Sequence, residues 1–258
     1  MRILFMVCGR AGSKGIKNKN IRMFSNYPLP LYSLAVMEMF KEKHPNDEVD
    51  IALNTDSDEL KNIISKFDDS VSIVNRKEEL AGDRVAKRDV IIDTLVQMEE
   101  KKKCTYDAAV DLDITSPIRK LEDVEKAITK YEESGADVVF SVVPSRRNPY
   151  FNMVKLSDKG AVRALESNFV ARQQAPEMFD MNASIYVYRP THLRAGRGVL
   201  EGYNEMIEMY DTGILDLDHE SDFELLEVIA NHLYNNVDGY SDVLRFLEVK
   251  ASGMKKES

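Results

Sequence analysis

The chain has 258 residues, with 44 Asp and Glu against 35 Lys and Arg, a formal net charge of −9. It is 43% apolar and 31% charged, with 12 Gly, 8 Pro and no Trp, which excludes a disordered or collagen-like chain; a chain of this length buries roughly three quarters of its unfolded surface and needs no disulfide or metal staple. The acidic balance argues against a general nucleic-acid binder but leaves room for a local basic site that holds a small anion. From the N-terminus, Ile3–Val7 is a short apolar run before a glycine-rich loop and reads as a buried strand. Leu31–Lys43 reads as a helix stopped near Pro45, and Val49–Asn54 as a second strand. Ser57 caps a helical pattern that runs to about Phe67. Val71–Asn75 is a third strand, Asp89–Lys102 a helix, Ala108–Leu112 a strand, Leu121–Ser134 a helix ended by Gly135, and Asp137–Val143 a strand. After Pro144 the rhythm breaks. Residues 145–182 carry arginines and two short strand-like pieces, Tyr150–Leu156 and Ala161–Leu165, with no clear helix. Ser184–Tyr188 resumes the strand pattern, and Asp222–Leu233 and Tyr240–Lys250 read as helices.

This alternation implies βαβ units and a doubly wound α/β fold with a mainly parallel sheet. Ligands of such sheets sit beyond the carboxyl ends of the strands, so the loops after Val7, Asn75 and Leu112 are expected to converge on a site. Two cysteines, Cys8 and Cys104, show neither metal-ligand nor disulfide spacing. The N-terminal apolar run is too short for a signal peptide, and no stretch approaches the ~20 apolar residues of a membrane span. A cytoplasmic protein without membrane or nucleic-acid partners is expected.

Cys8-Gly9-Arg10-Ala11-Gly12-Ser13-Lys14-Gly15 follows the first strand. Its glycines let the backbone bend and expose N–H groups, and Arg10, Lys14 and Lys19 add cations, a combination suited to a triphosphate. Lys14 precedes Gly15 with no Gly-Lys-Ser/Thr, so this is not a Walker A loop, and the glycine spacing is not that of a dinucleotide fingerprint.

Arg10-x-x-Ser13-Lys14-Gly15-x-x-x-Lys19-Asn20 resembles the signature of the CMP-N-acylneuraminate synthetases, the cytidylyltransferases that activate sialic acids and related nine-carbon keto sugar acids. Four further segments match in order: Arg76-Lys77-Glu78-Glu79-Leu80-Ala81-Gly82-Asp83; Leu112-Asp113-Ile114-Thr115-Ser116-Pro117-Ile118-Arg119; Arg172-Gln173-Gln174-Ala175-Pro176 leading to Asn182-Ala183-Ser184-Ile185-Tyr186; and Asp216-Leu217-Asp218 with Asp222, Phe223 and Glu227. The resemblance implies a Rossmann-like nucleotidyltransferase domain of residues 1–144 and 183–258, with 145–182 inserted as a dimerisation segment, and hence a homodimer. It implies transfer of CMP from CTP to the anomeric hydroxyl of a keto sugar acid, with release of pyrophosphate. Arg10, Gly12, Ser13, Lys14, Lys19 and Asn20 would hold the triphosphate, and Arg76, Ala81 and Asp83 would line the nucleotide site. Asp216 and Asp218 would bind Mg²⁺, two hard oxygen ligands beside a phosphate. Asp113, Ser116, Arg172, Gln173, Phe179 and Asn182 would meet the sugar acid, with Arg10, Lys14 and Asp216 as the catalytic set.

Three departures from the family pattern lie on the acceptor side. Asp113 stands where the family has Gln, so either a cation partners it, or it helps hold metal, or the acceptor offers a hydroxyl or amine. Asn148-Pro149-Tyr150-Phe151 lacks a family Lys for which Arg146 or Arg147 would substitute. Ala183-Ser184 follows Asn182 in place of Gly-Ala. Competing readings keep the fold with another nucleotide or sugar, use Asp216-Leu217-Asp218 as the metal motif of a glycosyltransferase, or retain nucleotide binding without catalysis. His219, next to Asp218, is a candidate for a supporting role at the metal. Tyr150, Tyr186 and Tyr188 are expected to pack, and Met37 and Met39 to lie in the core.

Overall fold

The seven residues of β1 (Arg2–Cys8) form the centre of the molecule, with Ile3, Phe5 and Val7 facing one side and Leu4 and Met6 the other. The chain then forms β2 (Met23–Phe24) and β3 (Tyr27–Pro28), α1 (Pro30–Lys43), β4 (Glu48–Thr55), α2 (Asp58–Phe67), β5 (Ser72–Asn75), α3 (Lys87–Lys102), β6 (Ala108–Leu112), α4 (Leu121–Ser134) and β7 (Val138–Pro144). The hairpin β8 (Val154–Ser157) and β9 (Gly160–Arg163) follows, then β10 (Phe179–Tyr188), α5 (Pro190–Arg194), β11 (Asn204–Glu208), α6 (Glu220–Asn236) and α7 (Tyr240–Met254). This computed structural model describes all residues except 13–15, 17, 83, 214–216, 218 and 255–258, and all other side chains except those of Arg172 and Met254.

The main sheet has seven strands in the order β11-β7-β10-β6-β1-β4-β5. All neighbours are parallel except that β10 runs antiparallel between β6 and β7. Helices α1, α2, α4, α6 and α7 cover one face, and α3 and α5 the other. Ten of the 14 residues of α1 are buried, because that helix is enclosed by α2, α4 and α7 as well as by the sheet. A helix in that position is apolar on most of its circumference.

This topology sets the place of the site. The carboxyl ends of β1, β4, β5, β6, β7 and β11 share one edge. The antiparallel β10 begins at that edge, with Phe179 opposite Pro144. The register of β10 against β7 shifts between Met181 and Tyr186, a bulge that holds Ala183 at φ 50°. Inside it, the Ser141 hydroxyl donates to Asn182 Oδ1 at 2.6 Å and accepts the Ile185 N–H at 2.9 Å. Gly in the family's pattern at position 183 thus meets a backbone requirement, since a left-handed residue favours glycine.

Several elements go beyond the sequence pattern: β10 takes in residues 179–182, assigned in the sequence to the insertion, and β2, β3, α5 and β11 have no counterpart among the expected elements. Asn204–Glu208 is polar and half-exposed, and it becomes a strand by pairing with β7 at the sheet edge. The expected strand pieces at 150–156 and 161–165 contract to the hairpin β8–β9, whose exposed residues include Val154 and Leu156.

Candidate active site

The loop after β1 turns back under α2. Gly9 N–H donates to the Asn54 carbonyl at 3.1 Å, and Ala11 N–H donates to Asp56 Oδ1 at 2.8 Å. These two amides are therefore engaged within the protein and do not face a phosphate, contrary to the simplest reading of the glycine-rich loop. A Cβ on Gly9 would stand 2.6 Å from Leu60 Cδ2 and 2.8 Å from Ile114 Cδ1. Gly12, at φ 69°, needs the left-handed conformation. Asn20 Nδ2 donates to the Arg10 carbonyl at 3.0 Å and closes the loop. Arg10, Gly12, Asn18 and Asn20 line a small cavity with Ser57 and Glu59 at the start of α2. Ser13 and Lys14 lie outside the described residues.

Lys19 links this loop to the acidic segment near the C-terminus: its Nζ donates to the Leu217 carbonyl at 2.6 Å, across 198 residues. Leu217 is wholly buried, so its backbone is fixed against the loop that follows β1. Asp216 and Asp218 themselves lie outside the described residues, as does Asp83. The other members of that motif are structural. His219 N–H donates to Asp222 Oδ2 at 2.8 Å, which caps α6. Phe223 packs edge-on against Phe24, and Glu227 Oε1 accepts the Ser25 N–H at 2.6 Å. Helix α6 thereby clamps the β2–β3 hairpin that follows the loop.

Arg76, after β5, donates from Nε to Asn54 Oδ1 at 2.9 Å and from Nη2 to the Asn54 carbonyl at 3.2 Å. Burial draws its pKa down. Ala81 ends the short 3₁₀ turn Glu78–Leu80, its N–H bonded to the Glu78 carbonyl.

The loop after β6 carries the acceptor-side residues. A cation does partner Asp113: Lys87, the first residue of α3, donates from Nζ to Asp113 Oδ2 at 2.5 Å. The same nitrogen stands 2.6 Å from Asp111 Oδ2. Burial alone would raise the Asp113 pKa; Lys87 and two bonds from Thr115 outweigh it and hold the carboxyl at about 2. Asp111, wholly buried, is pushed up by burial despite Lys87. The Cys8 thiol beside them is pushed up to about 12, by burial first and then by Asp111.

Arg119 fastens this loop from within. Wholly buried, it donates to the Asp113 carbonyl at 2.6 Å, the Ser116 carbonyl at 2.5 Å, Ser33 Oγ at 2.7 Å and Ser184 Oγ at 3.1 Å. Ser116 and Asn182 line one cavity with Thr115, Tyr210 and Thr212. Gln173 and Phe179 line another, of about 550 Å³, with Asn148, Pro176 and Glu208. Four of the six expected acceptor residues thus line cavities at the start of β10, while Asp113 adjoins the first through Thr115 without lining it. The Arg172 side chain is not described. Arg146 pairs through Nε with Asp211 Oδ2 at 2.7 Å, its side chain largely exposed. Tyr186 and Tyr188 stack on each other, and Tyr150 packs against Phe169.

Sequence reading missed Lys87 and Asp111. The one available signal was Asp113 itself, an anion that needed a partner. Among the described residues, no cluster of three or more His, Cys, Asp and Glu is arranged to hold a metal, and no helix is long and apolar enough to cross a membrane.

The chain is similar to known proteins over most of its length. The family profile described as "Cytidylyltransferase" matches residues 4–234. Post-translational flagellin modification protein B of Campylobacter coli is 36% identical over 228 residues, covering 88% of this chain and 94% of that protein. The CMP-N,N'-diacetyllegionaminic acid synthase of Campylobacter jejuni is 36% identical over 230 residues, covering 89% and 95%. In fold, a CMP:2-keto-3-deoxy-manno-octonic acid synthetase complexed with CTP superposes with a TM-score of 0.65 at 14% identity, covering 90% of this chain and 99% of that one. With the sheet and the match over residues 4–234 taken together, the chain belongs to the cytidylyltransferase family and is a nucleotidyltransferase.

Proposed function

We propose that the protein transfers CMP from CTP to the anomeric hydroxyl of a nine-carbon keto sugar acid of the legionaminic type, with release of pyrophosphate. The observation that carries the reading is the Lys19–Leu217 bond, which brings the basic loop and the acidic segment to one edge of the sheet. The acceptor class follows from the two Campylobacter relatives, one of which is named for diacetyllegionaminic acid.

In this reading Arg10, Lys14 and Lys19 hold the triphosphate, and Arg76 and Asp83 border the nucleotide. Charge that builds on the α-phosphate and the departing pyrophosphate meets cations already in place, so little reorganisation is needed. The sugar acid enters over Asp113, Ser116 and Asn182, with Gln173, Phe179 and Arg172 on its outer side. Its hydroxyl attacks in line, and catalysis consists of positioning and charge stabilisation. Asp216 and Asp218 suit Mg²⁺ by donor type, and Leu217 fixes the backbone between them beside the loop; the ion would neutralise phosphate charge. The inserted segment 145–178 is a dimerisation arm, and the enzyme works in the cytoplasm, where CTP is made.

The test is pyrophosphate release with CTP and Mg²⁺ across N-acetylneuraminic, deaminated neuraminic, legionaminic and pseudaminic acids, with GTP as control. Release is expected with CTP and a legionaminic acid. Silence with all four acids overturns the acceptor class, and equal rates with GTP overturn the nucleotide. Lys14→Ala and Asp216→Asn are each expected to lower turnover by about two orders of magnitude or more while the circular dichroism spectrum stays unchanged.

A further inference from the structure

The group that separates this chain from the family pattern is an ion pair in place of a neutral amide. Asp113 Oδ1 accepts the Thr115 N–H at 3.0 Å and the Thr115 hydroxyl at 2.9 Å, and Oδ2 accepts Lys87 Nζ at 2.5 Å. A carboxylate offers about four lone-pair sites, so these bonds leave one. The Asp113 side chain is 18% exposed, and it stands at the carboxyl end of β6. It adjoins the Thr115-Ser116 turn that lines a cavity with Asn182.

Lys87 cannot be read as a mere surface cation. Its ammonium touches Asp111 and Asp113 together, and Asp111, wholly buried, accepts no well-aligned hydrogen bond at either oxygen. Without Lys87, two carboxylates would face each other in a site of low dielectric; the proton would go to Asp111, which is wholly buried and already pushed up by burial, and Asp113 would lose the bond that holds its Oδ2 in place. The family Gln, by contrast, presents an N–H as well as oxygen.

We infer that Lys87 is a positioning residue and Asp113 a specificity-determining one: the pair keeps position 113 a group that only accepts, so the sugar acid must bring a hydroxyl or amide N–H to it. An acid that offers only a carbonyl or carboxylate oxygen at that point is refused, because two acceptors would meet with no proton between them. This rests on the function proposed above and names the hydrogen-bond character of its acceptor.

The experiment is steady-state kinetics on the four sugar acids with CTP and Mg²⁺, for wild type, Asp113→Asn, Lys87→Met and the double variant. Asp113→Asn leaves Lys87 paired with Asp111, so it retains charge balance and serves as the test if Lys87→Met does not fold. It is expected to change the ratio of kcat/KM between at least two of the acids tenfold or more, with the KM for CTP within twofold of wild type. Lys87→Met is expected to raise the KM for the preferred acid at least tenfold, again with little change for CTP, and the double variant to lose no more than the larger of the two single losses, since both residues act through one group. Unchanged ratios in Asp113→Asn overturn the inference. So does a Lys87→Met variant that weakens CTP and sugar acid alike, or whose loss adds in full to that of Asp113→Asn in the double variant. Wild-type release of pyrophosphate in the same assays keeps the proposed function standing in either case.

Discussion

Arg119 shows how much of a site's geometry one residue can carry without touching a substrate. Its guanidinium spends its donors on two carbonyls and two hydroxyls, and none on a carboxylate. Burial lowers its pKa to about 10, against the pull of Asp113 and Asp111. Arg119→Met is expected to destabilise the protein by more than ~3 kcal/mol, because charged-donor bonds are lost and buried acceptors are left bare. Arg119→Lys should rescue little, since an ammonium lacks the planar fork; urea unfolding measures both. Ala183 offers the opposite sign. Its left-handed backbone costs an alanine about 1 kcal/mol, so Ala183→Gly is expected to raise the urea midpoint. Glu38, nearly enclosed in α1, has its carboxyl pushed up to about 7 by burial and then by Asp68. Its folded pKa exceeds its unfolded one, so its contribution to stability is complete below about pH 4.5 and is lost as pH rises through 7. The charges nearby are Asp68, Lys41 and Lys250, and Asp68 titrates below the usual carboxylate range, outside this window. Glu38→Gln should therefore flatten the fall in stability between pH 5 and 8, and a profile that still falls as in wild type would exclude Glu38 as its source.

Among the elements, α2 and α6 act as supports for the phosphate-side loop. The N–H of Leu60 donates to the Ser57 hydroxyl at 3.2 Å at the start of α2, beside the cavity that Arg10 and Asn20 line. Ser57→Ala should cost ~1 kcal/mol of stability, read by thermal unfolding, as loss of an N-cap does. Helix α6 grips the β2–β3 hairpin through Glu227 and Phe223, and Arg22 lies 4.1 Å over the Phe223 ring. The residues that looked like part of an acidic chemical motif thus have separate roles. Asp222 caps a helix and Glu227 holds a turn, while the Leu217 carbonyl holds Lys19.

The molecule as a whole is one mixed sheet with an arm. The arm departs after β7 and returns into β10, and its hairpin β8–β9 pairs with no strand of the main sheet. Val154 and Leu156 are 71% and 88% exposed there, and the proposed dimer would cover them. Replacing residues 154–163 by a short Gly-Ser link is expected to convert a dimer to a monomer in sedimentation velocity. The far-ultraviolet dichroism of the sheet domain should be preserved. A monomeric wild type would remove the arm's proposed role.

Local pattern and short spacing already encode the elements and the family. Apolar runs of strand length alternating with helical periodicity announced the βαβ units, since each element's buried face is written in its own few residues. Ser57 and Gly135 marked helix ends through the capping chemistry they carry, and the ordered motifs from Arg10 to Glu227 carried the family. Only the tertiary structure decided what depends on partners far along the chain. Strand β11 exists because β7 offers an edge, and β10 takes its antiparallel place between β6 and β7 through pairing that no local signal specifies. Lys87 reads as one more lysine at the start of a helix until β6 places Asp111 and Asp113 against it. Lys19 meets Leu217 across 198 residues. A charge pair or a backbone clamp of this kind has no period and no fixed spacing, so it becomes visible only when the sheet has set the register.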